Sequence, residues 1–163
     1  MTQAQNVAVN LESLERIADQ IEQSYLAHPD IPETEKITLS KSRRGQGQFR
    51  ARVLAVESRY RVSGISNPNL LIASHIKPWA KCNTNRERLD CNNGLMLAPN
   101  ADFLFDRSYI NFSDEGALLT SNALSLHDRP LLGITGEQNV GRFSNAQAKY
   151  LEYHRDHVFC GLK

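Results

Sequence analysis

The chain has 163 residues, 40% of them hydrophobic and 23% charged, with a formal net charge of +1. This length suits one domain, or one domain with an appendage, and buries roughly 70% of its unfolded surface. The balance excludes disordered, collagenous and coiled-coil chains, and no apolar run approaches the ~20 residues of a membrane span.

The first fifteen residues show no cationic start followed by an apolar segment, so no secretory signal is expected. Cys82, Cys91 and Cys160 form no CxxC pair and read as reduced thiols of a cytoplasmic protein. Charge is unevenly spread. Lys41, Arg43, Arg44, Arg50, Arg52, Arg59 and Arg61 face the single acid Glu57, so residues 41–61 carry +6 and the rest −5. A local basic stripe on a near-neutral chain is either a phosphate footprint or a solvated helix face.

In chain order, Leu11, Leu14, Ala18, Ile21 and Tyr25 repeat at helical spacing behind Asn10, predicting a helix over 10–27. Pro29 and Pro32 end it, and residues 28–42 read as a linker with an extended piece at 36–39. Phe49, Val53, Val56 and Tyr60 share one face of a helix over 48–60. Residues 61–64 and 70–73 read as short strands around an Asn67-Pro68-Asn69 turn, and 77–90 as polar and irregular. Residues 94–97 are extended or a turn, and 100–107 form a short helix with Pro99 near its start. Residues 109–112 and 117–120 flank Ser113-Asp114-Glu115-Gly116, a hairpin signal, and 144–159 look helical.

The densest chemistry lies between Ser74 and Arg107. His75 follows an apolar run and enters a polar loop, as a strand-end residue would. Asp102 and Asp106 are four apart on the short helix, so both carboxylates face one way, while Phe103, Leu104 and Phe105 between them supply a buried side. Two converging carboxylates repel unless a cation lies between them, and a hard divalent ion is the natural occupant. Each piece also has a plainer reading: a structural histidine, an Asn-Gly turn, a pair of exposed acids.

Three strings in order carry more weight: Ser74-His75-Ile76-Lys77-Pro78-Trp79, Asn93-Gly94-Leu95-Met96-Leu97 and Asp102-Phe103-Leu104-Phe105-Asp106-Arg107. Together they closely resemble the HNH endonuclease family, in the branch with A/S-H-I-x-P-W, N-G-L-x-L and D-x-L-F-D-R-G motifs. Residues 44–50 and 61–64 also resemble segments of HNH proteins of restriction type, and the resemblance covers roughly 43–120. It implies an α+β fold, a ββα-metal (HNH) finger with flanking helices and a short hairpin. Residues 1–42 would be an N-terminal helix and linker, and 43–163 the nuclease domain.

Carried over by position, His75 matches the family's general base, and Asn93, 18 residues on, the asparagine that holds the finger loop and orients the histidine. Asp102 and Asp106 match metal ligands. Ser74 replaces the Asp or His that often precedes the base, a weak neutral ligand in place of an anionic one. The resemblance implies one divalent metal, Mg²⁺ or Mn²⁺ ahead of other ions, and hydrolysis of double-stranded DNA in a bacterial restriction or phage-defence setting. Arg43, Arg44, Arg50 and Arg107 are candidate phosphate contacts. No structural zinc is expected without CxxC pairs, and no membrane association. A homodimer or a partner subunit stays open. A dead finger that only binds nucleic acid, and a toxin nuclease, are the alternatives.

Overall fold

The computed structural model describes Ala27 and residues 32–159, with the side chains of 36–44 left aside. The helix expected over 10–27 therefore lies outside the described residues, apart from Ala27. The chain falls into two compact units, residues 1–45 and 46–163.

The first described helix, α1, spans Glu33–Val56. The stretch expected as linker and extended piece is thus helical from Glu33. Glu33 and Glu35 in its first turn complement the helix dipole, which offsets β-branched Ile37 and Thr38, the residues that suggested an extended segment. Gly45 and Gly47 are tolerated inside the helix although each costs about 1 kcal/mol relative to alanine. The helix stops at Val56, short of the expected Tyr60. Glu57 is buried there, taking Arg61 as ion-pair partner and a 2.7 Å hydrogen bond from Gln147.

Residues 61–64 are not a strand. Gly64 has φ of +77°, a conformation glycine adopts freely, and closes a turn in which its N–H donates to Tyr60 O at 2.8 Å. Pro68–Leu70 form a 3₁₀ turn capped by the Asn67 side chain, so the following strand, β1, starts later than expected, at Ile72–His75. It pairs antiparallel with β2 (Gly94–Leu97), placing His75 opposite Gly94.

Between these strands the polar segment contains more structure than its composition suggested: a 3₁₀ turn at Trp79–Lys81, a short helix α2 (Asn85–Arg88) capped by Thr84, and a turn at Cys91–Asn93 capped by Asp90. After β2 comes α3 (Pro99–Asp106), with proline in its first turn. The order β1, loop, β2, α3 is a ββα unit, and the mixed fold with small hairpin sheets is the expected α+β class. β3 (Ile110–Phe112) and β4 (Leu118–Thr120) form the expected hairpin. A short helix α4 (Asp128–Leu131) follows. The last helix, α5 (Asn145–His157), opens on a Ser144/Gln147 capping box.

The core joins Phe49 and Val53 of α1, Leu95–Leu97 of β2, Leu104 and Phe105 of α3, Ile110 and Phe112 of β3, and Leu151 of α5. β2 is buried along its whole length. Gly94 lies so close beneath α1 that a Cβ would run into the side chains of Val53 and Phe49. That close approach brings Phe49 over the end of β1, where His75 stands.

Candidate active site

His75 leaves the end of β1 and its ring is sandwiched. Phe49 stacks on one face at 3.6 Å and 10°, and Trp79 meets it edge-on at 5.4 Å. Its Nε2 lies 2.9 Å from the carbonyl oxygen of Arg88. A carbonyl only accepts, so Nε2 carries the proton and donates, which leaves Nδ1 as the acceptor of a neutral imidazole. Burial lowers the histidine pKa below its ordinary 6.5, with the Arg88 carbonyl working in the opposite direction. The ring is therefore neutral at neutral pH and able to take a proton.

The loop that presents Arg88 O is fastened by Asn93, which is wholly buried. Its Oδ1 accepts from Lys77 N–H at 2.7 Å, and its Nδ2 donates to Lys77 O at 3.2 Å and Glu87 O at 3.3 Å. Asn93 thus holds both flanks of the loop, its side chain bonding the loop backbone and, at 3.4 Å, Cys82 Sγ rather than the histidine ring. Its main chain also contributes, since Asn93 O accepts from Ile76 N–H at 3.0 Å, directly after His75. Lys77 and Glu87 add an ion pair at 2.8 Å across the same loop. Arg88 turns its guanidinium inward to Cys82 O at 2.7 Å and Trp79 O at 3.4 Å. It serves the loop through carbonyls and not through an acid.

His75 lines one cleft of about 500 Å³ together with Ser74, Trp79, Asp102, Asp106 and Arg107. The structure thus brings together the strand-end histidine, the serine before it and both helix carboxylates. Asp106 is exposed along the cleft, yet the surrounding walls strip part of its hydration and raise its pKa. Asp102 nearby raises it further, while Arg107 and Ser74 oppose the shift. Ser74 Oγ is buried and, among the described residues, meets no partner at good hydrogen-bond geometry, although it lies close enough to Asp106 to favour the charged carboxylate. An orphaned hydroxyl beside two mutually repelling carboxylates is an oxygen donor set short of a cation, and it fits a hard divalent ion. No three His, Cys, Asp or Glu side chains converge as a metal cage among the described residues, so water would complete such a shell.

The arginines divide. Arg107 is exposed on the cleft, its guanidinium 5.6 Å from the Phe103 ring. Arg50 donates to Leu71 O at 2.8 Å and Pro68 O at 2.6 Å, which ties α1 to the start of β1 and gives it a place in the fold. The side chains of Arg43 and Arg44 lie outside the described residues.

Two contributors escaped the sequence reading. The Arg88 carbonyl is backbone and has no side-chain signature. His154 of α5, outside the three sequence motifs, is buried and reaches the same cleft. It stacks on Phe105 of α3 at 3.9 Å, and its Nδ1 accepts from Asn111 Nδ2 at 2.8 Å. Burial pushes its pKa down to about 4. It forms part of the wall behind the carboxylate helix.

Residues 60–113 match the family model described as HNH endonuclease. No curated protein matches the chain.

Proposed function

Starting from a segment, residues 60–113, that belongs to the HNH endonuclease family, we propose that this chain is a metal-dependent endonuclease hydrolysing phosphodiester bonds of double-stranded DNA. His75 is its general base. The observation that carries the proposal is the histidine's geometry: Nε2 is committed to Arg88 O, and Nδ1 stays an acceptor on a ring facing the cleft that Asp102 and Asp106 share.

Hydrolysis needs a water deprotonated as it attacks phosphorus and a stabilised leaving 3′ oxygen. His75 Nδ1 takes the proton from water, and Phe49 and Trp79 fix the plane of the ring while it does so. A divalent ion, Mg²⁺ or Mn²⁺, when bound, supplies charge stabilisation at the phosphate and the departing oxygen. Asp102 and Asp106 are the residues to hold it, with Ser74 Oγ as a neutral donor. Asn93 acts as a positioning residue through the loop. In-line displacement leaves a 5′-phosphate and a 3′-hydroxyl. We assign 43–163 to the nuclease domain, with Arg43, Arg44 and Arg107 as phosphate contacts, and place the activity in restriction or phage defence on the strength of the motif resemblance.

The test is a plasmid assay on modified and unmodified duplex DNA with a panel of divalent ions. Metal-dependent nicking or linearisation, abolished by chelation, is expected. A protein that is folded yet inert with every ion and both DNAs overturns the proposal.

A further inference from the structure

A second concavity, of about 490 Å³, is built on the loop that holds His75, and Arg52, Asn85, Arg86 and Asn92 line it with Asp90. Resting on the endonuclease reading above, we propose that this groove binds the DNA backbone phosphates flanking the scissile one.

The groove is tied to the base by consecutive carbonyls. Arg88 O holds His75 Nε2 at 2.9 Å, and the next carbonyl, Leu89 O, accepts from Arg52 Nη1 at 3.1 Å. Neighbouring Cα atoms lie about 3.8 Å apart, so the groove begins beside the carbonyl that orients His75. Phosphates on one strand follow each other at roughly 3.4 Å of helix axis. A duplex seated with one phosphate at His75 therefore carries further phosphates on either side within reach of such a groove.

The charges of the two concavities suit a shared grip on the backbone. In the cleft, the two carboxylates would be neutralised by one divalent ion, which leaves Arg107 as the only surplus cation among the cleft residues. Flanking phosphates gain little there. In the groove, Arg52 and Arg86 are exposed, and neither has a carboxylate partner among the described residues. Of the acids nearby, Glu87 holds Lys77, while Asp90 accepts from the neutral donors Asn92 Nδ2 at 2.9 Å and Tyr150 OH at 3.0 Å, which leaves the groove a formal surplus of one cation. Asn85 and Asn92 add amides beside the two guanidiniums. Two exposed arginines without a carboxylate partner, flanked by amides, are suited to phosphate esters.

The experiment measures duplex binding by fluorescence anisotropy over a salt series, in a His75→Ala background that prevents cleavage. Arg86→Gln, Arg52→Gln and, as control, Arg142→Gln are compared. Arg142 is exposed and lines neither cleft nor groove. Thermal melting of each variant checks the fold, which matters most for Arg52, whose bond to Leu89 is lost. Arg86 has no such bond, so its variant reports on the groove alone. Each groove substitution is expected to lower the slope of log K against log salt by about 0.9, the loss of one phosphate contact, and the control to leave it unchanged. A parent that binds duplex with a slope unmoved by Arg86→Gln, or moved equally by Arg142→Gln, overturns the groove and leaves the nuclease reading standing. A parent that neither binds duplex nor, with His75 intact, cleaves it overturns both.

Discussion

His75 and Arg88 are thirteen residues apart, and a 2.9 Å contact joins the imidazole Nε2 of one to the main-chain carbonyl of the other. The contact fixes the tautomer. Nothing in the Arg88 side chain is needed for it, because that side chain is turned away toward Cys82 and Trp79. The imidazole is thus oriented by a loop backbone, and the loop is in turn held by Asn93.

Replacing the base follows directly. His75→Ala is expected to lower the cleavage rate ~10²–10⁴-fold, the usual worth of a general base, with duplex affinity nearly unchanged. In the parent, burial lowers the histidine pKa, so the rate should be flat through neutral pH and decline only below the ordinary value of 6.5 as the ring becomes protonated. A plasmid-cleavage pH profile on parent and variant measures both effects. Parent-like turnover by the alanine variant would remove His75 from the mechanism.

Asn93 should behave differently, because its contribution passes through the loop. Asn93→Ala leaves the buried Lys77 N–H without a partner, while the Glu87 carbonyl loses one donor and keeps Asp90 N–H at 3.4 Å. An unpartnered buried N–H costs about 1–3 kcal/mol. Chemical denaturation should show that loss, and cleavage should fall with it as the Arg88 carbonyl loses its fixed position. Asn93→Asp tests the donor side: it keeps an acceptor for Lys77 N–H but no longer donates to Lys77 O and Glu87 O. A variant as stable and active as the parent would mean the loop is held without this residue.

The ββα unit was legible in sequence because its signals are local. Pro99 marks the start of α3, Asp102 and Asp106 one turn apart mark its face, and Ser113–Gly116 marks the hairpin. The helical reading of 144–159 matches α5, which the Ser144/Gln147 capping box opens. The start of α1 was hidden because Ile37 and Thr38 favour extended backbone and Gly45 and Gly47 weaken a helix, while packing of Phe49 and Val53 decides the helical outcome further along. In the site, the side chains were legible and their supports were not. Stacking of Phe49 on His75 depends on the close approach at Gly94, and the Arg88 carbonyl depends on a loop closed by long-range bonds to Asn93. Neither leaves a periodic trace. His154 could not be placed more closely than structural or surface, because a lone histidine in an amphipathic helix gives no sign of which side it faces.

His154 gives a stability prediction. Its folded pKa of about 4 lies below the ordinary 6.5. The unfolded chain therefore binds the proton more readily between these values. The stability tied to the neutral ring is complete above about pH 6.5 and is lost as pH falls toward 4, by about 3 kcal/mol at most for this shift. His154→Gln should flatten that part of the stability curve. Urea denaturation at several pH values from 4 to 7.5 measures the slope, and an equal slope in parent and variant would show that other groups govern it.

The metal prediction joins three residues that converge on the cleft. Asp102 and Asp106 stand one turn apart on α3, and Ser74 Oγ is buried beside Asp106 with no partner at good hydrogen-bond geometry among the described residues. Asp102→Ala should abolish both metal-dependent cleavage and the heat of Mg²⁺ or Mn²⁺ binding in titration calorimetry. Asp106→Ala should weaken both, with partial recovery of cleavage at high metal, since one carboxylate and water can still hold an ion. The raised Asp106 pKa sets the sign of a pH effect: acid favours the protonated carboxyl, so metal affinity in the parent should fall as pH drops, and fall less steeply in Asp106→Ala. Ser74→Asp adds a third anionic donor where a neutral hydroxyl now lies and should tighten binding. Because calorimetry reads the ion directly, a variant can lose metal without ambiguity about catalysis. An Asp102→Ala protein that binds the ion and cleaves like the parent would place the metal elsewhere and leave α3 a structural helix.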